Sequence, residues 1–517
     1  MTKQLASKFR VMVTLGDVTS EEVNHRGPTT SEFTYVDISS IDRDRKRISD
    51  PKLVQSVSAP SRAKQVLERG DVLVSMTRPN LNAVAIVPLS LHGAIGSTGF
   101  HVLRAHLVEP PFIFYLVQTR QFIDEMSLCV QGALYPAVRP KDIDSFAFSL
   151  PSLNEQHRIV AKIEELFSEL DKGVENLKTA REQLKVYRQA LLKHAFEGKL
   201  TAQWRKENRD KLETADALLK RIQTERAQRY QQELEKWEAA GKQGSKPKAP
   251  KMLPPLTAEE LAELPELPQG WGWRTLENFI FSIDAGKSFK CDEREPLSHE
   301  IGVAKVSAVT WGEYDESESK TCNDIKMENE TYLIRSGDFI LSRANTIDLV
   351  GACVIAKIVT RRIMLSDKTL RITFEGFRQE YFLHYLRSRI GRKQIMLLST
   401  GNQESMRNIG QDRIRSIAVP ICSTDEAEAI LEMLASSLSE IDQLDLTMAT
   451  SLQQAAALRQ SILKKAFSGQ LVPQHPKDEP ASALLARIKA ERVAAVAKAR
   501  KASTGNKLLP VENRLHP

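Results

Sequence analysis

"HAFEGKL" at 194–200 and "KAFSGQL" at 465–471 are nearly the same heptapeptide, written twice 271 positions apart. A chance match fails once neighbouring residues are tested, whereas a duplication holds over a long span. At the same offset Arg188-Gln189 falls on Arg459-Gln460 and Lys193 on Lys464. "SELD" (168–171) falls on "SEID" (439–442), Glu155 on Glu426, Ile159 on Ile430, and "IDSFAF" (143–148) on "IRSIAV" (414–419). Beyond the heptapeptide the offset drops by a few residues, and "ALLKRIQTER" (217–226) meets "ALLARIKAER" (483–492). Upstream the match thins to "RGDVLVSMTRPN" (69–80) against "SGDFILSRANT" (336–346). This period is far longer than the about 20–50 residues of solenoid repeats. The chain reads as two copies of one large module.

A length of 517 residues exceeds what a single hydrophobic core accommodates, so several domains are expected. Hydrophobic residues at 41% and charged residues at 27% are ordinary for soluble globular material. The formal charge of +7 is a mild basic excess that permits a polyanionic partner without requiring one. Cys129, Cys291, Cys322, Cys353 and Cys422 stand singly with no C-x-x-C pair. That pattern argues against a zinc site or a disulfide framework and for a reducing compartment. The start "MTKQLASKFRVMV" lacks the apolar core of a signal peptide, and no apolar run reaches spanning length. A cytoplasmic protein without membrane contact is expected.

Residues 1 to about 150 alternate short apolar runs with turn residues: "FTYVDISSI", "DVLVSM", "NAVAIVPL", "FHVLRAHL" and "FAFSLP". Branched and aromatic residues at strand length predict β-rich structure, with a helix over "PFIFYLVQTRQFIDEM". Residues 272 to about 421 repeat the texture with "EIGVAKVSAVTW", "GDFILSRA", "VGACVIAKIV", "TLRITF" and the helical "RQEYFLHYLRSRIGRKQI". Both modules are α/β in texture and share layout more than letters.

A long stretch without Pro follows each module. Positions 159, 163, 166, 170, 173, 177, 180, 184, 187 and 191 keep a 4,3,4,3 spacing, mostly apolar, and the offset copies that seam to positions 430 through 462. Such spacing predicts a coiled coil. A single amphipathic helix on a globular core would drift at 3.6 residues per turn and use a wider stripe. Asn154 and Thr424 are the expected N-caps, Gly198 and Gly469 the C-terminal caps, and Phe196 and Phe467 packed anchors. Each helix body would run roughly 60 Å.

Two equivalent units associating about a two-fold axis perpendicular to the helices make those helices antiparallel. The modules would then lie at opposite ends of the rod, on the scale of one or two turns of B-DNA. Because the modules differ in letters, a split, non-palindromic target is expected. Adding or removing helical turns in both copies would alter its spacer.

The strand "GD-(I/V/F)-L-S", the "(L/V)P" before an "EQ"-type helix start, "YRQALLKHAFEGKLT" with Trp204 close behind, "LRQSILKKAFSGQLVP" and "LPQGWGWRTL" (267–276) together carry a resemblance. Over nearly the whole chain it resembles the specificity subunit of type I restriction-modification systems. The resemblance implies a fold of two α/β target recognition domains separated by a long antiparallel two-helix coiled coil, with pseudo-two-fold internal duplication. The expected divisions are target recognition domain 1 at 1–152, a conserved helical region at 153–226, a linker at 227–266, target recognition domain 2 at 267–421, a second helical region at 422–492, and a flexible tail at 493–517. It also implies assembly with two DNA adenine methyltransferase subunits and, for restriction, two translocase-nuclease subunits. One departure is visible: the "LP-x-G-W" stretch before the second domain has no counterpart before "VTLGDV" (13–18).

No catalytic motif survives testing. "DAGKS" (284–288) carries Phe281 where a P-loop needs its first Gly. G-x-G-x-x-G, H-E-x-x-H and an N-P-P-Y-type motif are absent. His157 and His194 fall on the helices, where surface or seam-flanking positions are expected. No cofactor is expected in this chain, S-adenosylmethionine, ATP and magnesium belonging to the partner subunits.

For double-stranded DNA, Arg reads guanine through O6 and N7, and Asn or Gln reads adenine through N6 and N7. The candidates in the first module are Arg78, Asn80 and Asn82 in "MTRPNLN", with Gln131, Tyr135, Arg139 and Lys141 in "VQGALYPAVRPKD". In the second they are Arg343 and Asn345 in "SRANT", with Asn402, Gln403, Ser405 and Arg407 in "STGNQESMRN". Arg62, Lys64, Arg104 and Lys368 are candidate phosphate contacts. The competing reading is a coiled-coil adaptor that binds protein partners without reading DNA.

Overall fold

The structure is a computed structural model that describes residues 10–505 apart from 21–22, 24, 131–135, 244, 248, 250–252, 324–327 and 404. It divides into two compact units, and neither is a continuous stretch of one repeat. The first joins residues up to Lys178 with those from Met448 onward; the second is Thr179–Thr447. Each long helix therefore contributes one half to each unit.

Both modules are mixed α/β, and their first and last strands pair. Val11–Thr14 runs antiparallel to Ala147–Leu150, and Gly272–Thr275 to Ala418–Ile421. The closing strand leads within a few residues into the long helix, so this pairing fixes where the helix starts relative to its own module. At the centre of the first module Val72–Ser75 lies between Phe100–Leu103 and Val84–Ile86, all antiparallel. The second module repeats this with Phe339–Ser342 between Thr369–Phe374 and Cys353–Ile355. A parallel strand pairing recurs as well, Tyr35 with Ile95 in one module and Gly302 with Ile363 in the other.

The helical stretch expected over "PFIFYLVQTRQFIDEM" is two helices, Pro110–Leu116 and Arg120–Leu128, and its counterpart is likewise split into Gln379–Arg387 and Arg389–Leu398. The break falls at a hydroxyl residue each time. The Thr119 side chain accepts from Phe122 N and donates to Leu116 O, and Ser388 does the same with Gly391 N and Tyr385 O. One hydroxyl thus ends one helix and caps the next.

The long helices are Leu153–Phe196 and Thr424–Phe467. Their N-caps are Ser152 and Ser423, not the expected Asn154 and Thr424, because Ser152 Oγ accepts from Glu155 N and Ser423 Oγ from Glu426 N. Both serines are buried and stand 271 apart. Replacing either by Ala is expected to cost about 1 kcal/mol, measured as a lowered midpoint of denaturant unfolding. A loss below about 0.3 kcal/mol would place the start of the helix under tertiary control instead.

The expected seam needs a correction of one residue at 173 and 187 and at their copies 444 and 458. Buried and half-buried positions include 163, 167, 170, 174, 177, 181, 184, 188 and 191, and again 434, 438, 441, 445, 448, 452, 455, 459 and 462, with the expected 166, 180, 437 and 451 half-buried beside them. Gly173, Tyr187, Leu444 and Leu458 lie outside and are exposed. In their places stand Val174, Arg188, Asp445 and Arg459. Choosing apolar letters misread the seam because charged pairs occupy part of it. Arg181 pairs with Asp445 at 2.7 Å and Arg188 with Asp442, so that residue numbers rise on one helix as they fall on the other. In the first unit Arg459 pairs with Asp171 and lies over the Phe167 ring, 4.1 Å from its centroid. The helices are antiparallel in each unit.

The heptapeptides end the helices as expected. Gly198 and Gly469 take φ of 67° and 78°, while Lys199 N donates to His194 O and Gln470 N to Lys465 O. Left-handed geometry with these back-bonds is the glycine stop of a helix. Each terminal Phe packs in the core of the other copy's module. Phe196 meets Tyr381 and Tyr385 edge-on, and Phe467 meets Phe112 at 5.1 Å between centroids.

A later helix then covers the same core. Leu218 and Ile222 of Ala215–Ala239 are buried with Phe279 and Tyr381, and Leu484 and Ile488 of Ala481–Gly505 are buried with Val108 and Phe112. The last helix continues beyond residue 493, where the sequence suggested fraying; its run of Ala, Lys and Arg has high helix propensity. Among the described residues no helix is long and apolar enough to cross a membrane.

Candidate nucleic-acid interface

In each module the central strand runs out into a polar loop, and a second polar segment is stitched to that loop by main-chain bonds. In the first, Val138 N donates to Met76 O at 2.9 Å and Arg78 N to Pro136 O at 2.9 Å, with Thr77 bridged to Ala137. "MTRPNLN" and the end of "VQGALYPAVRPKD" are therefore neighbours. In the second, Ile409 N donates to Arg343 O at 2.9 Å, and Ala344 and Asn345 pair with Asn408 and Arg407. The strand Met406–Asn408 pairs in turn with Thr400–Gln403, forming a three-stranded ribbon. The stitch at 138 and 409 keeps the 271 offset, although the letters around it differ.

The candidate side chains divide into outward and inward groups. Arg78, Asn80, Arg139 and Lys141 are exposed, as are Asn402, Gln403 and Ser405 near the ribbon's turn. Arg343 and Asn345 are half-buried. Gln131 and Tyr135 lie outside the described residues. Arg139 caps the short helix Pro140–Asp144 and pairs with Asp142 at 2.8 Å, holding that carboxyl below its ordinary range. Three expectations need correcting. Asn82 is buried: its Nδ2 donates to Val117 O at 2.8 Å, so it supports the loop rather than facing outward. Arg407 turns inward, donating to Ser399 O at 3.0 Å and Gly401 O at 2.8 Å, and so braces the ribbon. Arg104, a candidate phosphate contact, is caged by Asp71 and Glu68. Arg62, Lys64 and Lys368 remain exposed.

The ribbon shifts register where only glycine fits. Gly401 has φ of 134°, and a Cβ there would come within 2.3 Å of Met406 O. The exposed groups, mostly guanidinium, amide and ammonium, are those that hydrogen-bond base edges and phosphates. Among the described residues no group of three or more His, Cys, Asp or Glu could hold a metal ion.

A family model described as the type I restriction modification DNA specificity domain matches residues 49–179. The type I restriction enzyme EcoEI specificity subunit of Escherichia coli is 28% identical over 308 residues, covering 57% of this chain and 49% of that one. The EcoKI specificity subunit of Escherichia coli strain K12 is 22% identical over 404 residues, covering 76% of this chain and 74% of that one. A chain solved in work on complex assembly and conformational transition of the type I R-M system superposes with a TM-score of 0.64 at 24% identity, covering 89% of this chain and 98% of that one. The chain is similar to the type I specificity subunits in sequence and in fold. Its match spans about half the length of the first of these relatives.

In both modules, sequence reasoning missed the groups that hold the loops from behind. Lys46, Trp311 and Arg392 belong to no motif, and each lies tens of positions from the loop that it touches. A further group is the half-buried His384, pushed down to about 4 by desolvation and therefore neutral near pH 7. The histidines singled out in the sequence are exposed on the long helix, His157 beside Glu109 at 3.1 Å.

Proposed function

We propose that this chain is a type I specificity subunit that reads a bipartite, asymmetric duplex target through its two modules and directs methyltransferase and restriction subunits to it. The observation that carries the reading is the twice-built arrangement of strand, polar loop and stitched second segment, equal in hydrogen bonding and different in exposed letters. Equal scaffolds with unequal contact residues suit two different half-sites. Side chains such as Arg78, Asn80, Asn402 and Gln403 would contact base edges, while Lys141 and Lys368 would neutralise phosphates.

In this reading the chain supplies an address and no chemistry. Two adenine methyltransferase subunits would bring S-adenosylmethionine, two translocase-nuclease subunits would bring ATP and magnesium, and the complex would work in the cytoplasm. The test is footprinting of the full chain with its methyltransferase partner on duplexes selected from a randomised pool. Two protected blocks separated by an unread gap are expected, and the chain alone is expected to methylate nothing. Absence of sequence-specific protection would leave the adaptor reading in its place.

A further inference from the structure

Both reading loops are fastened by a cation, and the two fastenings share no ancestry in the repeat. In the first module the ammonium of Lys46 donates to the main-chain oxygen of Asn82 at 2.6 Å and to its Oδ1 at 3.0 Å. Asn82 is left-handed, with φ of 45°, and Arg78 at the other end of the same turn has φ of 49°. A turn closed by two left-handed residues with side chains is a strained conformation that its surroundings must maintain. In the second module Arg392 donates to the carbonyls of Ile347 and Val350, in the turn that follows Asn345. Trp311 completes this clamp: its Nε1 donates to Asp348 O at 2.8 Å, and its ring lies under Arg392, 4.7 Å from guanidinium carbon to centroid. Gly351, with φ of 75°, lets the turn press on Ile395 of the helix that carries Arg392.

Neither cation makes a carboxylate ion pair among the described residues. Burial pushes the Lys46 ammonium down to about 8 and lowers Arg392 as well. A desolvated cation without a carboxylate in contact is unfavourable, and the nearby Asp44 and Asp348 offset only part of that cost. Most of what each one gains in return is a bond to carbonyls of a reading loop. Lys46 comes from the hairpin of Ile41–Asp42 and Arg47–Ile48, and Arg392 from the helix Arg389–Leu398; these are unrelated places in the module.

We propose that Lys46 and Arg392 are positioning residues, each holding the reading loop of its own module, so that each half-site depends on a different cation. This rests on the DNA-reading function above. The full chain with its methyltransferase partner, presented with a randomised duplex pool, is compared with Lys46→Met, Lys46→Arg, Arg392→Met and Trp311→Phe. Lys46→Met is expected to lose roughly tenfold of its discrimination against single mismatches in one block and to keep the other. Arg392→Met shows the opposite pattern. Lys46→Arg restores the first block, and Trp311→Phe, which keeps the ring but removes the bond to Asp348, weakens only the second. Thermal unfolding is followed in parallel; should a methionine variant fail to fold, Trp311→Phe and Lys46→Arg still report on separate blocks. Equal loss in both blocks, or none in either, overturns the proposal. A parent chain that selects no sequence at all would instead overturn the DNA-reading function itself.

Discussion

Phe196→Ala is expected to destabilise the second unit by about 3–5 kcal/mol. The ring is 1% exposed, with centroids 5.1 Å from Tyr381 and 5.2 Å from Tyr385 at interplanar angles of 86° and 77°. Such edge contacts add about 0.5–1.5 kcal/mol each to the burial itself. The surroundings cannot collapse into the vacated space, because the two tyrosine rings are tethered at their far ends. Tyr381 donates to Pro420 O at 2.8 Å and Tyr385 to Ala418 O at 2.7 Å, both on the strand that closes the module. Rings fixed at that edge leave a cavity, and a cavity that cannot relax lies at the high end of the range. Hydrogen exchange resolves the effect by region. Protection should fall across Thr179–Thr447 and hold in the first unit. Phe467→Ala should cost less, since that ring is only half-buried beside Phe112. A loss under about 1 kcal/mol for Phe196→Ala would mean that the heptapeptide's Phe is not the anchor of the helix end.

The duplication, the strand and helix layout and the glycine stops were legible because each is written in consecutive letters. The heptapeptide signals its own role: a packed Phe followed by a left-handed Gly. What the letters hid are contacts between distant positions. The seam was misplaced at 173 and 187 and at their copies 444 and 458, because charged residues hold the inward side there: of Val174, Arg188, Asp445 and Arg459, three are charged and paired across the helices. Ser152 and Ser423 were passed over as caps because both lie just after the closing strand and look like loop residues. The candidate polar loops were picked out by residue type and by the family resemblance, and the structure brings each beside a second polar segment. Side-chain direction was not legible. Asn82 and Arg407 have the right chemistry for bases, yet each spends it on a neighbouring carbonyl.

The same limit explains why Glu155 and Glu426 registered only as a matching pair, whereas in the structure Glu426→Ala is a change of the largest class. Its carboxylate is 1% exposed in the first turn of the second long helix and receives three different side chains. Arg205 Nη2 donates to Oε1 at 2.6 Å, Thr201 Oγ1 to Oε1 at 2.7 Å, and Trp271 Nε1 to Oε2 at 2.9 Å. Arg205 also lies over the Trp271 ring at 5.4 Å. One carboxylate thus ties together the segment after the first long helix, the segment entering the second module, and the start of the second long helix. Among the described residues the only side chain that meets the carboxylate of its counterpart Glu155 is Arg10, at 2.5 Å, and Arg10 also donates to Phe467 O. The "LP-x-G-W" stretch lacking an equivalent in the first module is therefore the source of an extra donor in the second. Removing Glu426 leaves Arg205, itself mostly buried, without a counter-charge, and breaking such a pair costs about 3–5 kcal/mol. Replacing both partners should cost much less than the single change, because the stranded charge goes with them. Denaturant unfolding of Glu426→Ala, Arg205→Met and the double variant Glu426→Met/Arg205→Met measures this directly. If the double variant is as unstable as the sum of the single ones, the carboxylate acts only as a helix cap, and the three-way tie is not what secures the junction.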